Sequence, residues 1–414
     1  MLLKSVTYNV LENKVIKLSS LSYLALLLYV IDNNIRYSYI YNLWLLNNSK
    51  MLLFIKFIRY IVYLLCFIRI ILITRSSKHR FFFVLLSFCV VALAAITGPE
   101  KTPIFQALLI VSIIDLDFDK VINIFFRIQL LFFICNILFS ILGIFDTLYV
   151  LDNRKIRYYL GYGWVNRASY CWLFMALEYI YLKKFKVNIK FIAILSVGAL
   201  ILYQLTQTNF SFYLSLILAF CCFIKSLADH SIKVIKWKKN TKRRTKIYIM
   251  FFILFVMLGF LFPYLYNSKN PIWYALNLLL NSRLTLGKKA LNLYGIGLFG
   301  NKVEWVGSST LLFGFSESKQ YFTVDCDYLR LTIEYGILYL IWILYMYMMG
   351  LIRSCQIEKF EISFCILFIG IICVFEPRLI DFGFNPFILF FVCNFSKIRI
   401  ANSKKMRNFE KFEK

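Results

Sequence analysis

A polytopic α-helical membrane protein, with about twelve transmembrane helices, is the fold class this sequence predicts, and three observations carry the prediction. The first is composition: 61% of the 414 residues are hydrophobic, 17% are charged, and the mean hydropathy is +0.71. A soluble domain sits near half apolar with about a quarter of its residues charged. The second is distribution, because apolar runs recur from end to end and leave no room for a soluble domain. At roughly twenty residues per helical span, the length holds about a dozen spans and their loops. The third is the placement of Lys and Arg in short blocks between the apolar runs, the pattern that keeps basic loops in the cytoplasm. The formal net charge of +27 is therefore topogenic and no sign of nucleic-acid binding. An aromatic share of 19% suits lipid-facing surfaces and interfacial belts.

The apolar runs place spans at 15–31, 51–74, 81–97, 103–118, 121–146, 165–182, 190–207, 211–227, 247–266, 331–352, 361–376 and 384–398. The first run, Leu18 to Ile31, lacks a small-residue cleavage site and reads as a span, not a leader. Basic blocks then set orientation: Arg75, Lys78 and Arg80; Lys183, Lys184 and Lys186; Lys233 through Lys246; and Lys397, Arg399, Lys404, Lys405 and Arg407. With twelve crossings they all share the cytoplasmic side, as do both termini. The short run from Thr102 to Ile114, followed by Asp115, Asp117 and Asp119, must cross, or every later block would flip outward. The whole chain, 1–414, reads as a single integral membrane domain. Outside lie 32–50, 147–164, 267–330 and 377–383. Within the long late loop, 267–330, the Leu-rich stretch Pro271 to Leu293 reads as a helix on the membrane surface, broken by Gly295, Gly297 and Gly300. The eleven cysteines are scattered without metal-ligand spacing and read as small hydrophobes. His79 and His230 both sit in basic blocks.

A transporter concentrates polar residues on broken helices at mid-membrane; here they gather in the outer segments. Arg283 and Lys288 stand in one such segment, and Arg154 and Arg157 in another. Outer basic residues run against the positive-inside trend. An anionic lipid-linked substrate, bound by the planar guanidinium fork, would explain them, as would contact with phospholipid head groups. Asp325, Asp327 and Glu334 lead into the tenth span; a carboxylate there can take a proton from a hydroxyl nucleophile. The plainer alternatives are Asp325 as a helix cap and Arg330–Glu334 as an i,i+4 pair. Lys56 and Arg59 share one face of the second span, where a cation faces a cavity or snorkels.

In order along the chain, these residues resemble the Wzy-type polysaccharide polymerases of the O-antigen ligase and polymerase superfamily. Arg157-Tyr-Tyr-Leu160-Gly161-Tyr-Gly163-Trp-Val-Asn166-Arg is similar to that family's Arg, Leu-Gly-Phe, Asn signature. Asn281-Ser-Arg283-Leu and Leu298-Phe299-Gly300 resemble its Ser/Gly-Arg and Leu-Phe-Gly elements. Asp325-Cys-Asp327-Tyr328-Leu and Glu334-Tyr-Gly336-Ile resemble its Asp-Asn-x-Tyr-Leu and Glu-x-Gly-Ile ending. The resemblance covers roughly 150 to 345. The chain departs from it at Thr206-Gln-Thr208-Asn209, where Ser-Arg is usual, and at Val165, where Pro is usual.

The resemblance implies a C-type glycosyltransferase fold in a bacterial plasma membrane, without cofactor or metal. It implies transfer of a growing glycan from polyprenyl diphosphate to a lipid-linked oligosaccharide repeat unit on the outer face. Arg283 and Arg157 would neutralise diphosphate charge, Asp325 would be the base with Asp327 second, and Asn166, Arg154, Lys288, Lys56 and Arg59 would contact substrate. A chain-length regulator and a flippase would be the protein partners. A lipid-linked oligosaccharide flippase and an O-antigen-type ligase are the alternatives.

Overall fold

A soluble helix hides its apolar face; here both faces are apolar. Along Ser49–Thr74 (α2), Leu53, Phe57, Tyr60, Leu64, Phe67 and Ile71 share one face at helical spacing and are exposed. Ile55, Val62, Cys66 and Ile70 opposite them are buried. Such a helix has protein on one side and hydrocarbon on the other.

The computed structural model describes residues 2–41, 48–74, 78–146, 148–152, 155–229, 241–307 and 321–393. The fold is all-α, with fourteen α-helices among those residues. Leu2–Tyr37 (α1), α2, Lys78–Thr97 (α3), Thr102–Ser112 (α4) and Phe118–Ile141 (α5) come first. A two-stranded antiparallel ribbon follows, Tyr149–Asp152 (β1) and Lys155–Tyr158 (β2), with Tyr149 opposite Tyr158. Arg167–Leu182 (α6), Ile189–Thr206 (α7), Asn209–Asp229 (α8) and Thr241–Leu265 (α9) continue the bundle. Pro271–Leu279 (α10) and Arg283–Tyr294 (α11) lie in the late loop, then Asp327–Tyr335 (α12), Ile337–Gln356 (α13) and Phe360–Phe375 (α14). Five of these helices, α5, α7, α8, α9 and α13, are long and apolar enough to cross a membrane, which supports a multi-pass membrane protein. The other expected spans, apart from 384–398, lie on helices that are shorter, such as α3, α4 and α14, or more charged, such as α2. The helix α6 is buried on nearly every side and forms the centre of the bundle.

Successive helices alternate between two ends, which their contacts identify. At one end, Gly300 N–H donates to Thr97 Oγ1 at the close of α3, and Arg157 Nε donates to Thr206 O at the close of α7. At the other, Asp119 at the start of α5 meets Tyr181 at the close of α6 and Lys359 before α14. The chain passes from the first end to the second through α4, although eleven residues give it only about 16 Å.

The structure corrects three boundaries. The expected surface helix from Pro271 to Leu293 breaks at Asn281 and Ser282, both left-handed (φ 52° and 62°), rather than first at the glycines. Asn277 secures the corner by accepting from Leu284 N and Thr285 N, each at 3.1 Å. The expected span 331–352 is split at Gly336 (φ +88°), so the long helix starts at Ile337. Loop 297–301 packs backbone to backbone against that break: Asn301 N donates to Ile333 O at 2.9 Å and Ile337 N to Gly297 O at 3.0 Å. A side chain at Gly300 would strike the Glu334 carbonyl, and one at Gly336 the Leu298 carbonyl.

The third correction concerns 384–398. Within the described residues it holds one 3₁₀ turn, Phe387–Phe391, and the chain from Glu376 to Cys393 is otherwise irregular. Irregular backbone at membrane depth survives only inside protein with its polar groups satisfied. Leu379, Phe382, Phe384, Asn385, Phe387, Leu389 and Phe390 are all buried. Gln106 on α4 donates to Ile380 O (2.9 Å), Asn385 Nδ2 to Arg378 O and Leu379 O (2.9 Å each), and Arg353 to Phe391 O (2.9 Å). Asp115 N in turn donates to Val392 O (3.1 Å). Two interrupted segments therefore lie side by side and complete each other's hydrogen bonds.

Candidate functional site

The left-handed pair Asn281 and Ser282 turns Arg283 inward at the start of α11. There Arg283 Nε meets Asp325 Oδ2 at 2.9 Å and Nη2 meets Glu376 Oε1 at 2.5 Å, while Nη1 donates to Phe375 O. Its guanidinium also lies 4.4 Å from the Phe210 ring, which is stacked on Phe375. All three guanidinium nitrogens are thus engaged. Burial alone would lower the Arg283 pKa, but Asp325 and Glu376 outweigh it and the net direction is upward. Burial raises Asp325, with Arg283 pulling the other way and Glu376 adding to the rise. Asp325 caps no helix: the N-cap of α12 is Cys326, without a side-chain bond.

The ion pairs continue inward. Arg378 Nη1 binds Asp381 Oδ2 at 2.7 Å, and its Nη2 lies 4.0 Å from Glu376 Oε2. Asp381 accepts from the Tyr37 hydroxyl at the end of α1. Arg167, at the start of α6, stacks over the Tyr37 ring at 3.5 Å and the Trp164 ring at 4.4 Å. The Nε atoms of Arg167 and Arg378 are both buried without a hydrogen-bond partner. Alternating charges Asp325, Arg283, Glu376, Arg378 and Asp381 make a chain that runs from a partly exposed carboxylate into the bundle.

The other expected site residues distribute unevenly around it. Asp327 is 3% exposed and accepts from Leu379 N, so it anchors the irregular segment. Arg157 reaches Thr206 O (3.0 Å), four residues before Phe210, whose ring lies against Arg283. Asn166 caps α6 without a side-chain bond and immediately precedes Arg167. Lys288 donates to Tyr266 O. Glu334 forms the i,i+4 pair with Arg330 (2.7 Å) and accepts from Trp305 Nε1. Arg154 lies outside the described residues. Lys56 is exposed on α2 away from the cluster, and Arg59 is paired with Asp32 of α1 (Nε–Oδ2 2.7 Å). Asp32 also holds Arg36 at 3.1 Å, so the cation of the second span meets an internal carboxylate.

Sequence reading singled out Arg283 and Asp325 but missed Glu376, Arg378, Asp381 and Tyr37. A signal was present: Glu376-Pro-Arg378-Leu-Ile-Asp381 packs three charges into six residues between apolar runs. No family model, no curated protein and no solved structure matches the chain.

Proposed function

We propose that this chain is a polysaccharide repeat-unit polymerase of the bacterial plasma membrane. It transfers a growing glycan from polyprenyl diphosphate to the sugar hydroxyl of a lipid-linked repeat unit. The observation that carries the reading is the 2.9 Å contact between Arg283 and Asp325, a phosphate-binding cation beside a candidate base. With the lysine-rich end cytoplasmic, the Asp325 end and loop 267–330 face outward and both termini lie inside.

The contacts suggest an exchange. A diphosphate oxygen that displaces Asp325 from Arg283 Nε gives the developing leaving-group charge a cation and releases the carboxylate. Asp325, its pKa raised by burial, then accepts the acceptor hydroxyl proton. The acceptor oxygen bonds to the anomeric carbon as the anomeric C–O bond to the diphosphate breaks, and polyprenyl diphosphate leaves. Arg157 and Arg167 are the nearby cations for the second phosphate.

The test is glycolipid extraction from cells carrying variants in a deletion background. Asp325→Asn should cut polymer on the order of a hundredfold, the scale of a lost general base, while single lipid-linked repeat units accumulate. Arg283→Ala should abolish polymer, and Arg283→Lys should recover little, because lysine lacks the fork. A wild-type ladder from Asp325→Asn would reject it as the base; polymer intact on its carrier but unattached to a final acceptor would indicate a ligase.

The paired interruption of α4 and 376–393 favours a second reading, a lipid-linked oligosaccharide flippase, since broken segments mark substrate paths in transporters. Under that reading the accumulated units stay in the inner leaflet, out of reach of an external glycan label.

A further inference from the structure

Helices α5 and α7 both pack against α6 and leave a crevice of about 360 Å³ between them. Phe126 and Leu130 line it from α5, Trp172 and Tyr179 from α6, and Phe191 and Ile194 from α7. Its walls are fixed: Trp172 Nε1 donates to Leu195 O (3.2 Å), and Tyr179 stacks on Phe191 at 4.7 Å. The crevice opens on a lipid-facing surface, where Leu131, Ile134, Ile194 and Val197 are exposed. Its mouth lies at the lysine-rich end. Lys190 lines it, Lys183 sits 5.6 Å from the Tyr179 ring, and Lys184 and Lys186 are exposed in the same turn. None of these four lysines has an ion-pair partner among the described residues, and the sequence holds no Asp or Glu between Glu178 and Asp229. The N-terminus of α7, with Asn188 as its cap, adds backbone N–H groups and a favourable dipole for an anion.

We infer that this crevice binds one anionic phospholipid of the cytoplasmic leaflet, its acyl chain against Trp172 and its phosphate at Lys190. The geometry separates this ligand from a polyprenyl diphosphate at the Arg283–Asp325 end, because the eighteen-residue α7 lies between the two. The inference needs the membrane orientation given above but not the polymerase reading.

Trp172 is a built-in reporter. Purified protein is reconstituted in phosphatidylcholine nanodiscs doped with either phosphatidylglycerol or phosphatidylcholine carrying brominated acyl chains. Subtracting the emission of Trp172→Phe isolates quenching at Trp172. Brominated phosphatidylglycerol should reach half-quenching at about fivefold or more lower mole fraction than brominated phosphatidylcholine, the scale of one lysine at a charged surface. Lys190→Glu should remove that preference, and Ala176→Phe, which fills the crevice, should protect Trp172 from both lipids. Equal half-points for the two head groups, or no quenching of Trp172, would overturn the inference. Native mass spectrometry of the unmodified protein gives a second reading without any substitution: one phosphatidylglycerol should survive delipidation, and retention of none, or of phosphatidylcholine equally, overturns the proposal.

Discussion

Asp325 and Asp327 are two residues apart, yet packing gives them different work. Asp325 stays partly accessible and exchanges charge with Arg283, whereas Asp327 is sealed against Leu379 N and ties α12 to the irregular segment. Burial pushes the Asp327 carboxyl up to about 7 from its ordinary 3.8, although the Leu379 N–H and Arg330 oppose the rise. A raised folded pKa means that the folded protein holds this proton more tightly than the unfolded chain does. Its stabilising contribution is therefore complete below pH 3.8 and is lost as pH rises to about 7. Asparagine keeps an acceptor for Leu379 N and cannot ionise. The thermal unfolding midpoint of the purified protein should fall between pH 4 and pH 8 by more in wild type than in Asp327→Asn. Parallel pH profiles for the two proteins would show that Asp327 does not titrate in this window.

At the scale of elements, the contact between loop 297–301 and the α12–α13 break makes a sharp demand on two glycines. Any side chain at Gly336 is strained by its φ of +88°, and at both Gly300 and Gly336 it would collide with a carbonyl that flexible side chains cannot relieve. A left-handed conformation alone costs about 1 kcal/mol or more for a non-glycine residue. Gly300→Ala and Gly336→Ala should each lower the thermal midpoint by several degrees and reduce membrane accumulation. Gly307→Ala, whose added carbon meets nothing within 4 Å, is the control, and equal midpoints for Gly300→Ala and the control would remove the packing argument. The same region shows what a sequence can and cannot disclose. Apolar runs were enough to place α2, α3, α6, α7, α8 and α14 to within about three residues, because length and hydropathy decide a helix that faces lipid, whereas α1 begins well before its apolar run and α4, α5, α9 and α13 differ from the expected spans by a turn or more. The split at Gly336 was hidden by an apolar run that continues across it. The irregular 376–393 segment was hidden because burial in protein asks for apolar residues whether or not the backbone is helical; only Pro377, Gly383 and Pro386 hinted otherwise. Arg283 and Asp325 were legible as charges where charge is costly. Their partners Glu376 and Arg378 come from some fifty to ninety residues farther on, and no local pattern encodes that meeting.

For the molecule as a whole, the decisive quantity is which end faces the cytoplasm. Tertiary contacts sort the helix ends into two groups without reference to a membrane. One group holds Lys183, Lys184, Lys186 and Lys190 together with the Lys359–Asp119 pair; the other holds the Arg283–Asp325 cluster, where cations and carboxylates compensate one another. The dense lysine block between α6 and α7 thus lies at one end, which the positive-inside rule assigns to the cytoplasm. Single cysteines test this directly. All eleven native cysteines are free and eight are buried; only Cys89, Cys135 and Cys221 need replacing. In that background an impermeant thiol reagent applied to intact spheroplasts should label Ser268→Cys, in the exposed turn before α10. It should miss Lys186→Cys, in the turn between α6 and α7, until the membrane is permeabilised. The opposite pattern would leave the bundle intact but place Arg283 and Asp325 in the cytoplasm. There they could not meet a repeat unit displayed on the outer leaflet, and the polymerase reading would fall with the orientation.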